Sequence, residues 1–291
     1  MKLSIIIVSW NVQENLRNCL NSILTQAITA DYEIIVVDNA SQDQTVGLVL
    51  NQFPTVKLIT NNLNLGFAKA VNQGAAAAQG EYLLLLNPDT VVRDGSLDQL
   101  LDTAVSFPLL GALGGKIVNP DGSVQPSVRK FPTLCAMILV ILSLHRLMPG
   151  IKTLRKYFQT EFDYTRMQSV DQVMGAYFLV PLSVWQQLGG LDEKFFLWFE
   201  EVDFCRRAKA AGFDVVYAPT GEVIHESGQS FGQLLTLRKR LIFNRSLRHY
   251  FRKHKQFAAY FIVWLFQPLS LLIAGLGQIV LRFSPGVRRK S

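Results

Sequence analysis

Short, almost wholly apolar runs punctuate the first hundred residues: Leu3–Ser9, Glu33–Asp38, Val56–Thr60 and Tyr82–Asn87. Each is followed by a helix-like stretch, Asn15–Thr25, Gln44–Asn51, Phe67–Gln79 and Ser96–Phe107. This β-α alternation predicts a mostly parallel central sheet with helices on both faces. The clearest run is Leu83-Leu84-Leu85-Leu86, which stops at Asn87-Pro88-Asp89. Four leucines in a row suit a strand buried on both faces. Proline has no N–H to give to a ladder, so Asp89 falls in the loop past the strand's C-terminal edge. In open α/β sheets ligands bind at that edge. The other strands also end in polar residues, Trp10/Asn11, Asp38/Asn39 and Asn61/Asn62, which predicts one shared pocket.

After Gly111–Val118 the rhythm changes. A turn-rich segment, NPDGSVQPS, leads to the apolar run Leu134–Leu144, followed by Arg146, Lys152, Arg155 and Lys156. That run is too short to cross a bilayer. Residues 133–158 read either as an interfacial helix with a basic segment or as a core helix with a solvated end. A strand is expected over Gln172–Val180, then a Gly-Gly turn at 189–190, an aromatic and acidic cluster from Asp192 to Asp203, a helix to Ala211, and a strand from Val215 through Tyr217 towards His225. Between Lys255 and Arg282 the chain carries no charge, so 256–281 is long enough to span a membrane. Pro268 interrupts it and both flanks are basic, which leaves a span, a bent hairpin and an interfacial helix as alternatives. The expected division is a catalytic domain over 1–232 and a basic then hydrophobic membrane-associated segment over 233–291.

The 291 residues are 49% hydrophobic, which allows a sizeable core. The net charge of +7 is unevenly distributed, because 17 Lys and Arg stand against 22 acids through Glu226, and 12 Lys and Arg against none beyond it. The basic character therefore belongs to the C-terminal segment, and nucleic acid is not an expected partner. Cys19, Cys135 and Cys205 are scattered, with no CxxC spacing, which argues against a disulfide framework or zinc site and fits a reducing compartment. Met1 and Lys2 lead straight into an apolar strand, unlike a signal peptide, so the catalytic part is expected inside the cell.

The turn after the first strand, Ser9-Trp10-Asn11-Val12, has no glycine, which excludes the GxGxxG fingerprint and the P-loop. Aspartate and asparagine side chains remain, groups suited to a base, a ribose and a metal. Asp38 can accept the ring N–H of a pyrimidine or close an Asx-turn. Asn64-Leu65-Gly66-Phe67 joins a turn to a helix start, where N–H groups and the helix dipole favour a diphosphate, and Lys69 adds charge. Asp89 is placed either to ligate a hard divalent cation bridging phosphate oxygens or simply to close an Asn-Pro-Asp turn. Phe195-Phe196-Leu197-Trp198-Phe199 delivers Glu200, Glu201 and Asp203 into a partly desolvated setting, which suits a general base or, more plainly, acids in the first turn of a helix. Asp121, Asp192 and Asp214 read as turn acids.

The segments SIIIVSWNVQENLRNCLNSI, VVDNASQDQT, NLNLGFAKAVNQG, LLLLNPDT, MGAYFLVP, GGLDEKFFLWFEEVDFCRRAKAAGF and VIHESGQS together resemble the inverting glycosyltransferases of family two, with the GT-A fold, and in particular their bacterial rhamnosyltransferase-like branch. The resemblance covers roughly residues 3 to 232. It implies that Asp38 contacts the base of a nucleotide-sugar donor, with Ser9, Asn11, Glu14, Asn39 and Ser41 nearby. Asn64, Gly66, Phe67, Lys69 and Asn72 would line the nucleotide and its sugar. Asn87-Pro88-Asp89 stands where the family has Asp-X-Asp, so Asn87 would face the donor and Asp89 would hold Mg2+ or Mn2+, helped by His225. Glu201 stands at the position of the base, with Glu200 as second choice. The implied activity is transfer of a sugar, from dTDP-rhamnose or a UDP-sugar, to a lipid-linked or polysaccharide acceptor with inversion, at the cytoplasmic face of the cell membrane, in envelope polysaccharide synthesis. Two alternatives are a nucleotidyltransferase with a related α/β core, which lacks its Gly-rich basic loop here, and a non-catalytic membrane-attached sugar-nucleotide binding protein.

Overall fold

A computed structural model describes the backbone of residues 2–226 and 236–283. In chain order the elements are β1 (Leu3–Ser9), α1 (Gln13–Leu24), β2 (Tyr32–Asp38), α2 (Thr45–Gln52), β3 (Lys57–Thr60), α3 (Phe67–Ala76), β4 (Tyr82–Leu86), β5 (Thr90–Val92), α4 (Ser96–Val105), β6 (Leu110–Val118), β7 (Val128–Arg129), α5 (Leu134–Ile141), α6 (Leu144–Leu147), α7 (Lys152–Phe158), β8 (Gln168–Ser169), β9 (Gln172–Val173), β10 (Tyr177–Pro181), α8 (Leu182–Leu188), α9 (Glu200–Ala210), β11 (Asp214–His225), α10 (Thr236–Lys253) and α11 (Phe257–Phe283). The boundary expected at 232 and the last four residues of the VIHESGQS segment lie outside the described residues.

The main sheet is ordered β3-β2-β1-β4-β10-β6-β11-β5, with β8 added beside β11. β3, β2, β1 and β4 are parallel. β10 then runs antiparallel between β4 and β6, and β5 antiparallel to β11, so the sheet is mixed in its second half. Alternation along each strand divides the core in two, as strand geometry requires. Leu3, Ile5, Ile7, Leu84 and Leu86 pack under α1, α2 and α4, while Ile6, Leu83 and Leu85 pack under α3, α8 and α9. The strand expected over 172–180 is broken at Met174-Gly175-Ala176, where the Ala176 carbonyl turns to accept from the Asn87 N–H at 3.0 Å.

A third apolar cluster joins α5 and α7 to α10, α11 and the aromatic run before α9, through Met137, Tyr157, Phe195, Phe199, Leu247 and Tyr250. The C-terminal helices are thus packed onto the sheet domain. α11 folds back antiparallel along α10, since Asn244 Nδ2 donates to Ser270 Oγ at 3.2 Å and the Leu237 N–H to Gln278 Oε1 at 3.3 Å. Its small residues Ala259, Ser270 and Ala274 are buried, while Phe261, Trp264, Leu265 and Leu272 are exposed.

Candidate active site

At the C-terminal ends of β1, β2 and β4 lies a cavity of about 440 Å³. Of the residues singled out in the sequence, it brings together Asn39, Asn64, Gly66, Phe67, Asn87, Asp89, Glu200, Glu201 and His225. Ser9, Asn11, Asp38 and Ser41 form the turn behind that wall. Asp38 is buried; one carboxylate oxygen accepts from the Ser41 N–H at 3.0 Å, and Ser41 Oγ accepts from the Asn11 N–H at 2.9 Å. Asp38 Oδ1 and Ser9 Oγ are buried with no partner in the protein. An orphaned buried acceptor costs about 1–3 kcal/mol, which a donor N–H from a ligand would recover.

Asn39 organises the next layer. Its Oδ1 accepts from the Leu65 N–H (3.0 Å) and its Nδ2 donates to Asn64 Oδ1 (3.0 Å), which fixes the turn entering α3. Gly66, at φ +87°, lets that turn approach the aromatic run: a Cβ there would sit 2.6 Å from the Phe196 carbonyl oxygen. The Phe67 N–H donates to the same oxygen at 2.7 Å. Three further singled-out residues lie neither in the cavity lining nor in the turn behind it. Glu14 pairs with Arg17 at 3.4 Å on the surface and Lys69 is exposed. Asn72 holds the Gly-Gly loop, donating to the Leu191 carbonyl and accepting from its N–H (2.9 and 3.0 Å).

His225 reaches Asp89 because β11 pairs antiparallel with β5, placing His225 opposite Thr90. The Glu226 N–H also donates to the Asp89 carbonyl at 2.9 Å. Gln125, which sequence reasoning missed, orients the imidazole. Its Nε2 donates to Asn119 Oδ1 (2.8 Å) and to the His225 carbonyl (3.3 Å), so its Oε1 faces His225 Nδ1 at 2.7 Å, and Nδ1 carries the proton. Nε2 is thereby aimed at Asn87 Nδ2 and Asp89 Oδ1, each 3.2 Å away. A ring nitrogen and a carboxylate oxygen converging in this way are donor types that a divalent cation takes. The set of imidazole, carboxylate and neighbouring amide fits a divalent metal on that ground. Among the described residues no three His, Cys, Asp or Glu side chains converge, so phosphate oxygens and water would complete the coordination.

Across the cavity, α9 begins with Glu200 and Glu201. Trp198 and Phe199 before it are both left-handed, at φ 65° and 72°, a conformation that costs bulky residues about 1–3 kcal/mol each. α10 holds them there. The Phe199 ring packs on Phe243 and Tyr250 at centroid distances of 5.2 and 5.8 Å, Trp198 on Phe243 at 5.8 Å, and the buried Ser246 hydroxyl donates to the Leu197 carbonyl at 2.8 Å. Charges reinforce the clamp: buried Asp203 accepts from Arg207 (2.8 Å), Lys253 (2.9 Å) and His254 (2.9 Å), while Asp192 accepts from Lys253 (2.8 Å) and His249 (2.9 Å).

Burial pushes the Glu200 carboxyl well above the usual range, and Glu201 beside it pushes further. Burial raises Glu201 too, but its own backbone N–H and then Arg129 oppose the rise. Both carboxyls are thus held above the usual range, and the buried pair resists carrying two negative charges at once. One oxygen of each carboxylate is buried without a partner.

Residues 4–178 match the model of glycosyl transferase family 2. The chain is 32% identical over 246 residues to the N-acetylglucosaminyl-diphospho-decaprenol L-rhamnosyltransferase of Mycobacterium tuberculosis, covering 79% of this chain and 78% of the relative. Among solved structures it resembles GalNAc-T7 with UDP, GalNAc and Mn2+ (TM-score 0.59, 17% identity, 85% of this chain), of which it spans 47%. It also resembles a mannosyltransferase from Pyrobaculum calidifontis in complex with GDP-Man and Mn2+ (TM-score 0.58, 15% identity), covering 99% of this chain and 76% of that one. These likenesses establish a GT-A fold. The chain belongs to glycosyl transferase family 2 and is a glycosyltransferase.

Proposed function

We propose that this enzyme transfers a deoxyhexosyl group, rhamnosyl by similarity to the mycobacterial relative, from a nucleoside-diphosphate donor to a lipid-linked acceptor, with inversion and with a divalent metal. The metal-type edge of Asp89 and His225 and the carboxylate pair of α9 meet in one cavity, and that meeting carries the proposal. Asp38, with its unpartnered oxygen, receives the ring N–H of the base, and the Asn39–Asn64 turn lies against the ribose and sugar. Asp89 and His225 Nε2, with Asn87 beside them, would hold the metal seen in both structural neighbours. When bound, the metal supplies charge neutralisation for the departing diphosphate.

Glu201 takes the proton of the acceptor hydroxyl as that oxygen attacks the anomeric carbon from the side opposite the diphosphate. A raised carboxyl suits this task, since a base with a pKa closer to neutral drives proton transfer better than an ordinary carboxylate. The raised Glu200 carboxyl beside it disfavours a second negative charge next to the attacking oxygen. Asp89→Ala and Glu201→Gln should each abolish sugar transfer measured with membranes present. Full turnover in both variants refutes the mechanism.

α11 is placed on the cytoplasmic membrane surface. Phe257–Gln278 is long and apolar enough to cross a bilayer, but α10 lies antiparallel beside it with seven Lys and Arg in 18 residues. Carrying α10 into hydrocarbon would cost about 2.5–3.5 kcal/mol per charge at the centre of the bilayer. An interfacial position instead buries the exposed Trp264 and Leu265 of α11 in the acyl boundary and leaves the α10 cations at the headgroups. Truncation after Lys255 should move the protein from the membrane to the soluble fraction; a full-length chain that is soluble without detergent refutes the placement.

A further inference from the structure

The cavity also carries two arginines, and the charge of one of them, Arg129, acts on Glu201. Arg129 comes from β7 and Arg238 from the first turn of α10. The Arg129 guanidinium lies over the Phe158 ring at 5.3 Å, which holds its plane, and it also hydrogen-bonds the Tyr157 hydroxyl. Arg240, one residue along from Lys239, donates to the Val140 carbonyl (3.2 Å) and Ser143 Oγ (2.9 Å), tying α10 to the end of α5. Arg146 stands close to it: Arg240 is lowered first by burial and next by the charge of Arg146, and His145 feels Arg146, Arg240 and Arg129 in turn. Among the described residues none of these four arginines forms an ion pair with a carboxylate, and no acid follows Glu226 in the chain. Glu201 is the acid that feels Arg129, and one carboxylate does not offset the positive charge gathered around this end of the cavity. Such a site has its counter-charge on a ligand, and the forked guanidinium matches phosphate oxygens.

The donor's diphosphate belongs at the opposite end, by Asp89. In an in-line displacement the acceptor approaches from the side of the base, so the ligand at Arg129 and Arg238 comes with the acceptor. Exposed apolar residues surround the arginines: Leu237 and Leu241 on α10, and Leu147 and Met148 just after Arg146. We propose that Arg129 and Arg238, with Arg146 and Arg240 behind them, bind the diphosphate of a sugar-diphosphate-polyprenyl acceptor, whose chain leaves over the apolar side of α10 and α11 into the membrane. The proposal rests on the lipid-linked-acceptor reading above and adds the site and the charge it selects.

The test compares two acceptors, a sugar on a short polyprenyl diphosphate and the same sugar on an uncharged alkyl chain, using the full-length protein in detergent micelles with donor in excess. The wild type should favour the diphosphate acceptor. Arg238→Gln should raise its KM for that acceptor about tenfold, equivalent to about 1.4 kcal/mol, and the KM for the uncharged acceptor far less. Arg238→Lys should recover part of the loss, and a short polyprenyl diphosphate without sugar should inhibit the wild type competitively against acceptor, whereas the matching alcohol should not. If Arg238→Gln proves unstable, Arg146→Gln, at an exposed position, is expected to raise the same KM severalfold. An equal loss on both acceptors overturns the site. So does a wild type that uses both equally well, an outcome that leaves the transferase reading intact. A wild type that hydrolyses donor but glycosylates neither acceptor overturns the lipid-linked reading and the site with it. An Arg238→Gln variant that loses binding to phosphatidylglycerol vesicles yet discriminates fully between acceptors assigns these arginines to lipid headgroups and also overturns the proposal.

Discussion

Ser246→Ala isolates the coupling between the C-terminal helices and catalysis. The hydroxyl is buried and donates to the Leu197 carbonyl at 2.8 Å, immediately before the two left-handed residues that aim Glu200 and Glu201. Removing it leaves that carbonyl unsatisfied, at about 1–3 kcal/mol, comparable to the strain in Trp198 or Phe199 alone. The strained arrangement then loses much of what holds it, and a relaxed loop moves the base off the acceptor hydroxyl. A loss of about 2 kcal/mol in the catalytic arrangement corresponds to roughly thirtyfold in rate. We expect kcat to fall between about fivefold and thirtyfold, with KM for the nucleotide sugar unchanged, because the Asp89 edge is not touched. Leu101→Ala, in the core on the far face of the sheet, serves as control; it should lower the melting temperature at least as much while leaving kcat alone. The coupling is refuted if Ser246→Ala lowers the melting temperature but turns over like the wild type.

Three further outcomes follow from the same geometry. Glu200 has its folded pKa raised, so the folded state binds more protons than the unfolded one and stability drops as pH climbs above the ordinary carboxylate value. Glu200→Gln escapes that penalty, and its stability advantage in thermal melts should widen from pH 5 to pH 8; a constant gap contradicts the raised pKa. Asp192 and Asp203 have lowered pKa values, through hydrogen bonds from Lys253 and His249 and from His254 respectively, which outweigh burial. Their stabilisation is present above the unfolded value of about 3.9 and is lost as pH falls through the depressed folded values, so chemical denaturation should show Asp203→Asn closing most of its gap to wild type in strong acid. Gln125→Leu removes the acceptor at His225 Nδ1 and frees the ring to change tautomer. Mn2+ affinity measured with bound nucleotide diphosphate should weaken by about 10- to 100-fold, and unchanged affinity would show that Gln125 does not orient the ligand.

The β-α half of the fold was legible because its strands are buried on both faces and read as unbroken apolar runs, and Pro88 marks where β4 releases Asp89. The sequence pattern did not reveal why His225 belongs there, since that depends on β5, three residues long and paired antiparallel with β11. Gln125 sits in a turn-rich stretch where nothing distinguishes a glutamine that orients a histidine from one that faces water. Asn72 reads like its neighbours in the NLNLGFAKAVNQG segment, yet its amide is committed to Leu191, a partner 119 residues away. The aromatic run before Glu200 was recognised for its desolvation. That it is held left-handed by Phe243, Ser246 and Tyr250 depends on packing from a helix that, by composition alone, looked like the basic lead-in to a membrane segment.

That helix changes what the C-terminal segment is for. A tether serves only to raise local concentration, and its attachment point can be far from the chemistry. Here α10 carries three roles on three faces: Phe243, Ser246 and Tyr250 set the loop before Glu200, Arg238 enters the cavity, and Asn244 and Leu247 meet α11 or the core beneath it. On the proposed placement of α11 at the bilayer, a displacement of the hairpin cannot leave the carboxylate pair where it was, because Lys253 bridges Asp192 and Asp203 on the two sides of that loop. Membrane binding and the geometry of the base are then one equilibrium: whatever free energy α11 gains at the surface is available to hold Trp198 and Phe199 in their strained conformation. Anionic vesicles without acceptor should accordingly speed donor hydrolysis by the wild type. In Ser246→Ala, where the link between α10 and the loop is cut, they should not.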